Sequence, residues 1–378
     1  MKVLHVIPSL SRLRGGPTFV VNTLAEYQAR TGVEVHVATT DDDDSGRQSV
    51  PLATPIWRGG AVYWYFKRNT RTYQSSIGLT SWLLRRAAGF DLIHIHSLFT
   101  YPATAAAAIA QRRSIPYVVR PLGVLNRWGL HSGRTWAKRL SIRLLENGIL
   151  RRAAAVQFSS AAERDESTQV CPVRQSVVIP NPIQFFPAPR GRFRARHSAI
   201  GDRPVVLFVG RLHPVKGIEL LLEAFRQAGR DAVLAIAGSG DGSYERRLRE
   251  SARGLDVIWT GFLDKATKAE ALADANVFVV PSQSESFGLA AVEAMAAGVP
   301  TVIADGVGIA DEVALHGAGL VVPGVAPALA DAIARILDEN GLAAQLGARG
   351  RLFVETRYRP EVVASQTLQL YAEIGCRP

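Results

Sequence analysis

Cysteine is scarce in this chain: only Cys171 and Cys376 occur among its 378 residues. Two cysteines make no disulfide framework of the kind that staples small secreted domains. Long apolar runs are missing as well, since stretches such as TAAAAIA at 104–110 fall far short of the roughly 20 residues that span a bilayer. The first residues, MKVLHVIPSL, have no apolar centre like that of a signal peptide. These absences predict a reduced, cytoplasmic protein that contacts a membrane, if at all, peripherally at its inner face.

The chain also has no dinucleotide-binding fingerprint after its first predicted strand. The turn there, SLSRLRGGP, contains no G-x-G-x-x-G, which argues against a dinucleotide-dependent oxidoreductase. A glycine-rich stretch, GSGDG at 238–242, comes late in the chain. It is either an ordinary tight turn or a place where the backbone comes close to a bound nucleotide.

Length and composition predict two α/β domains. A chain of 378 residues, 47% hydrophobic and 20% charged, is longer than one core usually supports. VLHVIP, TFVVNTLAEYQART and VEVHVATT form a predicted βαβ unit, and DLIHIHS, PYVVRP, AAVQFSS and SVVIPNP indicate further strands. The Pro-rich, basic stretch at 182–200 is the expected linker between the domains.

The stretch at 281–300, PSQSESFGLAAVEAMAAGVP, carries the strongest functional signal. The preceding NVFVV is typical of a buried parallel strand. A helix should then begin near Phe287 or Gly288, with Ser284 or Ser286 as its cap, and end at the glycine of the closing GVP. This order predicts a strand, a functional loop and a short buried helix.

Two carboxylates belong to this stretch. Glu285 lies in the predicted loop, and Glu293 is the only charge in an apolar helix, so it needs a partner such as a ligand diol. The alternative is that both are solvated surface charges. The N–H groups of Phe287, Gly288 and Leu289 would point out of the helix start, where the helix dipole attracts an anion such as a phosphate.

A second loop, GRLHPVKG, follows the predicted strand VVLFVG and precedes the amphipathic helix IELLLEAF. It begins at Gly210 and carries Arg211 and Lys216. Arginine binds phosphate bidentately and lysine acts as a mobile point charge, so together they suit a departing diphosphate. Loops at the carboxyl ends of strands are where open α/β sheets bind ligands. A solvated basic loop is the alternative.

Together these motifs resemble glycosyltransferase family 4. The E-x7-E pair followed by EAMAAGVPTV looks like that family's donor-site signature, and VVLFVGRLHPVKGIELLLEAF is similar to the segment that opens its second domain. VLAIAGSGDGSYERRL and VIWTGFLDKATKAEALADANVFVVPS follow the family's order of elements, and GGP at 15–17 and IHIHS at 93–97 also fit. The resemblance therefore covers nearly the whole chain.

The resemblance implies an α/β protein of GT-B fold, with two Rossmann-like domains whose parallel sheets face each other across a cleft. The acceptor domain would be 1–184, with a last helix at 360–378 that packs back on it. The nucleotide-sugar donor domain would be 185–359. The implied enzyme is a retaining hexosyltransferase that acts on a nucleoside-diphosphate sugar and needs neither cofactor nor metal.

The resemblance also assigns roles to residues. Arg211 and Lys216 bind the donor diphosphate, Glu293 the ribose hydroxyls, and Glu285 the sugar, beside the amides of the helix start. Phe262 and Leu263 frame the base, and the small Gly15 and Gly16 let the first loop approach the phosphates. The full set of donor-binding candidates beyond the catalytic ones is Gly15, Gly16, Gly210, Phe262, Leu263, Phe287, Gly288, Leu289 and Glu293.

The histidines of IHIHS alternate with isoleucines, so His94 and His96 project from the same face of a strand, and either could be a hydrogen-bonded core residue. The resemblance places His96 near the donor sugar on the acceptor side, where it could bind a hydroxyl or assist proton transfer. Arg120 is a weaker acceptor-side candidate. His5 is expected to be structural, and His213 is left open.

Four consecutive acids at 41–44 invite a metal hypothesis, because D-x-D sequences hold the divalent ion in another fold class of glycosyltransferases. Four adjacent side chains cannot all converge on one ion, and a solvated loop explains them. The sequence therefore predicts no metal site.

Positive charge is concentrated in the first half of the chain. Residues 1–190 contain 24 Lys and Arg against 11 Asp and Glu, while the remainder contains 20 against 22. Part of the excess falls on a predicted helix at 133–152 and part on AVYWYFKRNTRTYQ at 61–74, although VYWYF could instead be a strand with alternate residues buried. This distribution predicts that the first domain binds an anionic membrane surface and that the acceptor is a glycan or is lipid-linked. A nucleic-acid-binding protein is a less favoured alternative, because no helix-turn-helix, zinc-finger or RNA-binding signature accompanies the charge.

The expected function is a transfer step in bacterial polysaccharide or lipid-linked glycan assembly. Two alternatives stay open: a nucleotide-sugar epimerase of GT-B fold, and a non-catalytic nucleotide-sugar binder. The motifs name neither the sugar nor the acceptor.

Overall fold

The chain divides into two compact units in this computed structural model. Unit 1 combines Met1–Pro182 with Tyr358–Pro378, and unit 2 is Ile183–Arg357. The sequence placed these boundaries at residues 184 and 359. The structure describes residues 1–11, 15–43, 46–126 and 135–376.

Unit 1 contains an eight-stranded sheet whose central strands are buried on both faces, as expected for β-branched runs covered by helices. Two further strands of two residues each, β3 and β4, form a separate antiparallel pair outside this sheet. The strands of unit 1 are β1 Lys2–Ser9, β2 Glu34–Thr40, β3 Asp42–Asp43, β4 Gly46–Arg47, β5 Pro55–Arg58, β6 Ala61–Phe66, β7 Leu92–His96, β8 Tyr117–Arg120, β9 Ala155–Phe158 and β10 Ser176–Val178.

The order across this sheet is β10-β9-β8-β7-β1-β2-β6-β5. All neighbours are parallel except the edge pair of β5 and β6. The chain runs from β1 out to β6 on one side and then returns to β7 on the other side of β1. The gap between the ends of β1 and β7 is therefore the topological switch point, where open sheets bind ligands.

Helices connect these strands. Pro17 lies in the first turn of α1, where a missing N–H costs nothing. The alanine-rich α3 buries small side chains against the sheet. A π-helical turn, Ile142–Glu146, joins α4 to α5. The helices are α1 Gly16–Arg30, α2 Ile77–Arg86, α3 Tyr101–Arg112, α4 Thr135–Ser141, α5 Asn147–Arg152 and α6 Ala161–Val170.

Unit 2 contains a six-stranded, wholly parallel sheet. Its strands are β11 Val205–Val209, β12 Val233–Ala237, β13 Val257–Gly261, β14 Val277–Val280, β15 Thr301–Ala304 and β16 Leu320–Val322. The order is β13-β12-β11-β14-β15-β16. The chain reverses its direction across the sheet between β11 and β14, so the loops that follow these two strands meet at the switch point.

The helices of unit 2 pack on both faces of its sheet. Leu221, Leu222 and Phe225 of α8 lie in a core cluster with the strands, as the amphipathic sequence IELLLEAF predicts. The helices are α7 Arg192–Arg196, α8 Ile218–Ala228, α9 Gly242–Ser251, α10 Lys265–Asp274, α11 Leu289–Ala296, α12 Ala310–His316, α13 Ala326–Asp338 and α14 Leu342–Arg357.

The last helix, α15 Pro360–Glu373, belongs to unit 1. It packs against α1, and Tyr371 lies fully buried there. The chain thus leaves the first unit, builds the second, and returns to complete the first.

Candidate functional site

The two loops predicted to bind the donor lie side by side at the switch point of unit 2. Gln283 N donates a hydrogen bond of 2.9 Å to the carbonyl of Val215, which ties the loop after β14 to the loop after β11. Gly217 has a positive φ of 66°, and a Cβ there would lie 2.2 Å from the carbonyl oxygen of Pro281. Only glycine permits this approach.

Lys216 and Glu285 form an ion pair across these loops. Lys216 Nζ is 2.9 Å from Glu285 Oε2, and both side chains are largely buried. Ser282 donates a hydrogen bond to the same carboxylate oxygen. The backbone of Glu285 is fixed to a third loop, since its N–H donates to Gly306 O and its carbonyl accepts from Gly308 N. The carboxylate is therefore held at a defined place beside a cation.

The helix that follows, α11, has no side-chain cap. The serine cap predicted from the sequence is wrong, because Gly288 occupies the N-cap position. Its φ is 103°, a backbone conformation that would be strained in a residue with a side chain. Phe287 is buried, and Leu289 is the first helical residue. The first-turn N–H groups of α11 have no acceptors within the helix, which suits an anion.

Glu293, about one turn into α11, has a protein partner. Lys268 Nζ of α10 lies 2.6 Å from Glu293 Oε1, and both side chains are mostly buried. The sequence predicted that this lone carboxylate needs a partner but did not identify Lys268. Nothing in the local pattern of α10 distinguishes this lysine from a surface one.

Arg211 is exposed and makes no hydrogen bond or ion pair with any residue that the structure describes. It follows Gly210, whose N–H bonds the carbonyl of Ala237. His213 caps the short turn that carries Lys216. Burial, followed by the charges of Arg211 and Lys216, lowers the pKa of His213, so the loop presents two cations and a neutral imidazole.

The glycine-rich loop after β12 packs on this cationic loop. A Cβ at Gly238 would lie 1.8 Å from the carbonyl oxygen of Gly210, and one at Gly240 would lie 2.1 Å from that of Leu212. Leu212 N also donates to Ser239 O. These glycines therefore permit the close contact between two loops of the site. A close approach of a bound nucleotide to the same glycines stays a prediction.

The candidates for base binding follow β13. Phe262 is 67% exposed and Leu263 is half-buried. An exposed phenyl ring at the end of a strand is available for stacking against a planar ligand.

Gly15 and Gly16 begin α1 at the switch point of unit 1. Gly15 is the N-cap with φ 63°, and nothing from the part of the chain that the structure describes lies within 4 Å of the place where its Cβ would be. Thr18 donates a hydrogen bond to the carbonyl of Ser11 after β1. Among the described residues, Gly15 thus leaves open space at this helix start.

Three buried histidines lie on one face of the sheet of unit 1. His5 of β1 pairs in register with His94 of β7, and His96 is two residues further along. His5 Nδ1 is 2.9 Å from His96 Nε2, and the rings of His94 and His96 stack with centroids 4.3 Å apart. The predicted projection of His94 and His96 from one face is confirmed by this stacking.

Two polar residues from helices complete this group. His5 Nε2 is 2.8 Å from Gln28 Oε1 of α1, and His94 Nδ1 is 2.6 Å from the hydroxyl of Tyr371 of α15. Neither partner was predicted from the sequence. Tyr371 is 277 residues from His94, a separation at which no local pattern could reveal the contact.

Arg120 lies beside this histidine cluster. It pairs in register with His96, and its Nη2 donates a 2.6 Å hydrogen bond to Asn181 Oδ1. Its Nε and Nη1 are buried and have no partner among the described residues. Burial lowers the pKa of Arg120 to about 10, so it remains a cation at neutral pH.

Burial also keeps the histidines neutral. It lowers the pKa of His5 to about 4 and the pKa values of His94 and His96 well below their usual range. The charge of Arg120 acts in the same direction on all three. In the described part of the chain, these imidazoles are the one group of potential metal-binding side chains, with ligand atoms within 4.8 Å of one another. The adjacent arginine opposes a cation there.

The sequence predicted that the acidic run is a solvated loop. This prediction is wrong. Asp41 and Asp42 are buried. Asp42 forms an ion pair with Arg68, and Asp41 Oδ1 accepts a hydrogen bond from the backbone N–H of Arg68. Asp43 accepts from Ser11, and Asp44 lies outside the described residues. The run therefore connects the end of β2 to the segment after β6 through an ion pair and a hydrogen bond.

The basic and aromatic surface is also different from the prediction. Every residue of β6, including the aromatic run at 63–66, is buried, because helices and neighbouring strands cover both of its faces. One group of exposed apolar side chains lies instead on α4 and the π-helical turn. Trp136 is 72%, Leu140 49% and Leu144 66% exposed, and Arg139 and Arg143 are exposed beside them.

Two family descriptions match this chain, one for each unit. "Glycosyl transferase 4-like domain" matches residues 15–182, and "Glycosyl transferases group 1" matches residues 189–353. An uncharacterized glycosyltransferase of Methanocaldococcus jannaschii is 31% identical and the match covers 95% of each chain. A phosphatidyl-myo-inositol mannosyltransferase of Mycobacterium leprae is 28% identical over 99% of this chain and 97% of the relative.

Solved structures match over the same extent. Sucrose-phosphate synthase from Thermosynechococcus elongatus superposes with a TM-score of 0.78 and 27% identity, covering 99% of both chains. The Anabaena protein HepE, solved in complex with UDP-glucose, gives a TM-score of 0.78 at 20% identity, covering 99% of this chain and all of that one.

Proposed function

We propose that this protein, a member of the glycosyltransferases of family 4 type with the GT-B fold, transfers a hexosyl group from a nucleoside-diphosphate sugar to an acceptor hydroxyl with retention of configuration. The observation that carries the proposal is the Lys216–Glu285 pair at the switch point of unit 2. It lies where Arg211, which has no ion-pair partner among the described residues, and the uncapped start of α11 can complete an anion site.

The two cations have distinct roles. Arg211 is free to bind the donor diphosphate bidentately. Lys216 begins with Glu285 as its partner, and a phosphate oxygen would compete for the ammonium. As the bond to the sugar breaks, negative charge grows on the β-phosphate, so these cations stabilise the transition state more than the ground state.

Glu285 and Glu293 handle hydroxyl groups. A carboxylate accepts strong hydrogen bonds from a diol, and Glu293 is held for this by Lys268. Glu285 is held by Ser282 and Lys216 and would bind the sugar. The exposed ring of Phe262, with Leu263, would frame the base. HepE with its bound UDP-glucose supports a nucleotide-sugar donor.

We also propose that the reaction needs no metal. Arg211 and Lys216 supply the positive charge that a divalent ion would give to the diphosphate. The acids at 41–43 have protein partners, namely Arg68 and Ser11.

The test is a donor panel with the full chain. UDP-, GDP- and ADP-sugars are compared by thermal shift, with and without EDTA. The products formed with each candidate acceptor are then analysed under the same two conditions. We expect one nucleotide class to raise the melting temperature equally in both conditions, and transfer to give a product with the donor's anomeric configuration. Stabilisation abolished by EDTA would overturn metal independence. Epimerised donor without transfer would favour the epimerase, and donor binding without any turnover would favour the binder.

An anionic bilayer is the proposed location of the acceptor. Trp136, Leu140 and Leu144 are spaced four residues apart on one helical run, and Arg139 and Arg143 accompany them. Exposed apolar side chains flanked by arginines are typical of helices that lie in a membrane interface. Within the described residues, no helix is both long enough and apolar enough to cross a bilayer. The relative from Mycobacterium leprae, by its name a phosphatidyl-myo-inositol mannosyltransferase, supports a lipid-linked acceptor at the inner face.

Vesicle co-sedimentation tests this surface. Vesicles of phosphatidylcholine with phosphatidylglycerol should bind the protein, and phosphatidylcholine alone should not. Arg139→Gln with Arg143→Gln should weaken binding about 30-fold, at about 1 kcal/mol for each charge. The control pair Arg246→Gln with Arg253→Gln, exposed in unit 2, should have no effect. Trp136→Ser should weaken binding, while Trp57→Ser, an equally exposed tryptophan, should not. Equal behaviour of the two tryptophan variants would overturn the proposal.

A further inference from the structure

The loops that follow β6, β7 and β8 in unit 1 contain strained backbone. Among the described residues other than glycine, those with a left-handed φ are Ala53, Tyr73, Gln74, Ser97, Phe99, Ser114 and Leu122. All but Ala53 and Ser114 lie in these three loops, at the carboxyl ends of parallel strands. Strained residues persist only where their surroundings fix them, and they cluster at functional sites. The strain of unit 1 is thus concentrated where open sheets bind ligands.

Buried groups hold the loop after β6, residues 67–76. One oxygen of Asp42 pairs with Arg68 near the start of this loop, and the other accepts a 3.0 Å hydrogen bond from Gln74 Nε2 near its end. All three side chains are buried, and a buried carboxylate requires such partners. Tyr73, which precedes Gln74, is therefore held in a defined position although it lies at the surface.

The other two loops are also held by buried carboxylates. Glu146 accepts a 3.1 Å hydrogen bond from the backbone N–H of Phe99. Glu163 accepts one from the N–H of Gly123, which follows Leu122. All three loops are therefore fixed from beneath. A surface that is already ordered loses little conformational entropy when it binds a ligand.

Two aromatic rings lie side by side on this surface. Tyr101 N donates a 2.8 Å hydrogen bond to the carbonyl of Tyr73, which ties the loop after β6 to the start of α3. The two rings meet edge to face, with centroids 6.2 Å apart. Tyr73 is 36% exposed and Tyr101 is partly exposed. A ligand can therefore reach both rings.

Threonine hydroxyls fix the outer ends of both rings. Tyr73 Oη is 2.6 Å from Thr104 Oγ1, and Tyr101 Oη is 2.7 Å from Thr80 Oγ1. Both threonines donate to a backbone carbonyl, which can only accept, so the tyrosine hydroxyls donate to the threonines. Each tyrosine oxygen then keeps a lone pair that can accept a hydrogen bond from a ligand.

Aromatic faces with accepting oxygens at their rim match the chemistry of a sugar ring. A pyranose has a face of C–H groups, which packs on an aromatic ring, and hydroxyls around its edge, which donate to nearby oxygens. A flat cofactor would instead need a slot between parallel rings, whereas these two rings are inclined at 77°.

We infer that Tyr73 and Tyr101 bind a pyranose ring of the acceptor. Gln74 is a positioning residue, which holds Tyr73 in place through its hydrogen bond to Asp42. This inference rests on the proposed transferase function. The donor-binding loops of that proposal lie in unit 2, so a sugar bound by unit 1 is the acceptor.

The first test measures sugar binding to the full chain without a donor. Saturation-transfer NMR is recorded with the methyl pyranosides of glucose, galactose, mannose and N-acetylglucosamine. We expect binding that Tyr73→Ala weakens about tenfold, since one aromatic contact is lost. Tyr73→Phe keeps the ring and should keep most of the binding. The control is Trp57→Ala, because this exposed residue pairs with Val62 near the amino end of β6. It should change nothing.

Two results of this test would overturn the inference. One is saturation of every pyranoside that is absent, or equal in the wild type and in Tyr73→Ala. The other is binding that is lost in about 0.5 M sodium chloride, because contacts between uncharged groups are little affected by salt. Such a loss would indicate an ionic ligand held by Lys67 and Arg71, which are exposed in the same loop.

The second test removes the anchor of the loop. Gln74→Leu leaves both rings but loses the hydrogen bond to Asp42, and it should weaken pyranoside binding nearly as much as Tyr73→Ala does. In the double variant it should cause no further loss, because it acts through Tyr73. Additive losses would contradict the positioning role.

The donor panel separates this inference from the proposed function. Tyr73→Ala should leave the thermal shift with the nucleotide sugar unchanged. Pyranoside binding that depends on Tyr73 in a protein that binds no nucleotide sugar would refute the transferase and retain the sugar site. Transfer with an acceptor KM unaffected by Tyr73→Ala would refute the site as the place of the acceptor and retain the transferase.

Discussion

Lys216 Nζ and Glu285 Oε2 are 2.9 Å apart, although their loops follow two strands that are distant in the sequence. The positive charge of Lys216 is therefore already paired with a carboxylate before a donor binds. In the proposed reaction, the donor diphosphate replaces the carboxylate as the partner of the ammonium, which leaves Glu285 available to the sugar. This exchange couples the arrival of the phosphates to the release of a hydrogen-bond acceptor.

Replacing Lys216 by methionine should lower kcat by about 100-fold or more, because one of the two cations that stabilise the leaving diphosphate is lost. Initial rates with the donor identified in the panel measure the effect. Lys265→Met in the same unit is the control and should retain wild-type rates. A Lys216 variant with near-normal turnover would remove this loop from the active site.

The same pair predicts a stability pattern. Lys216→Met leaves a largely buried carboxylate unpaired and should destabilise unit 2 by about 1–3 kcal/mol. The double variant with Glu285→Gln should recover most of that loss, since no uncompensated charge remains. Urea unfolding of the four proteins of the cycle gives the coupling free energy. Strictly additive losses would mean that the two side chains do not interact.

Glu293→Gln should raise the donor KM by about tenfold or more with a much smaller change in kcat, because a carboxylate bonds a ribose diol more strongly than an amide does. Lys268→Met should act in the same direction by releasing the carboxylate from its position. Glu250→Gln, an exposed carboxylate of α9, serves as the control. A loss confined to kcat would place Glu293 at the sugar instead of the ribose.

Gly238→Ala should be much more costly than Gly254→Ala. Both glycines have positive φ, so both substitutions incur backbone strain of about 1 kcal/mol. Only at Gly238 would the new Cβ meet another atom, 1.8 Å away at the carbonyl of Gly210, while nothing lies within 4 Å at Gly254. We expect the Gly238 variant to lose both melting temperature and transferase rate, because Gly210 precedes Arg211. Similar losses in the two variants would contradict a contact role.

Glu146 gives a pH dependence. Burial raises the pKa of its carboxyl to about 7 from 4.5, so the folded protein binds this proton more tightly than the unfolded chain does. The resulting stabilisation, about 3 kcal/mol, is fully present below pH 4.5 and is lost as the pH rises through 7. Glu146→Gln keeps an acceptor for Phe99 N and Ser141 Oγ, which bond the native carboxyl. The melting temperature of this variant should exceed that of the native protein increasingly from pH 5 to pH 8. A constant difference would contradict the shift.

The sequence could predict those parts of the site that depend on neighbours along the chain. The strand before Pro281, the short helix around Glu293 and the loop with Arg211 and Lys216 follow from runs of β-branched residues, glycine and proline, which act locally. The predicted α/β GT-B fold is confirmed by the two parallel sheets and the matching structures. The individual roles assigned to site residues stay predictions.

Other features could not be read from local pattern. Lys268 meets Glu293, and Tyr371 meets His94, only because the sheet order brings distant segments together. The burial of the aromatic run in β6 depends on which neighbours cover it, which alternation in the sequence does not specify. The serine cap failed because Gly288, with its positive φ, already ends the loop.

The return of α15 to unit 1 has a consequence for synthesis on the ribosome. Unit 2 is one continuous segment, Ile183–Arg357, whereas unit 1 is completed only by Tyr358 and the residues after it. The second unit can therefore finish folding while the first, although made earlier, still exposes the surface of α1 that α15 covers. Unit 1 is begun first and completed last. Nascent unit 1 must wait, with its buried histidines only partly enclosed, until Tyr371 has left the exit tunnel.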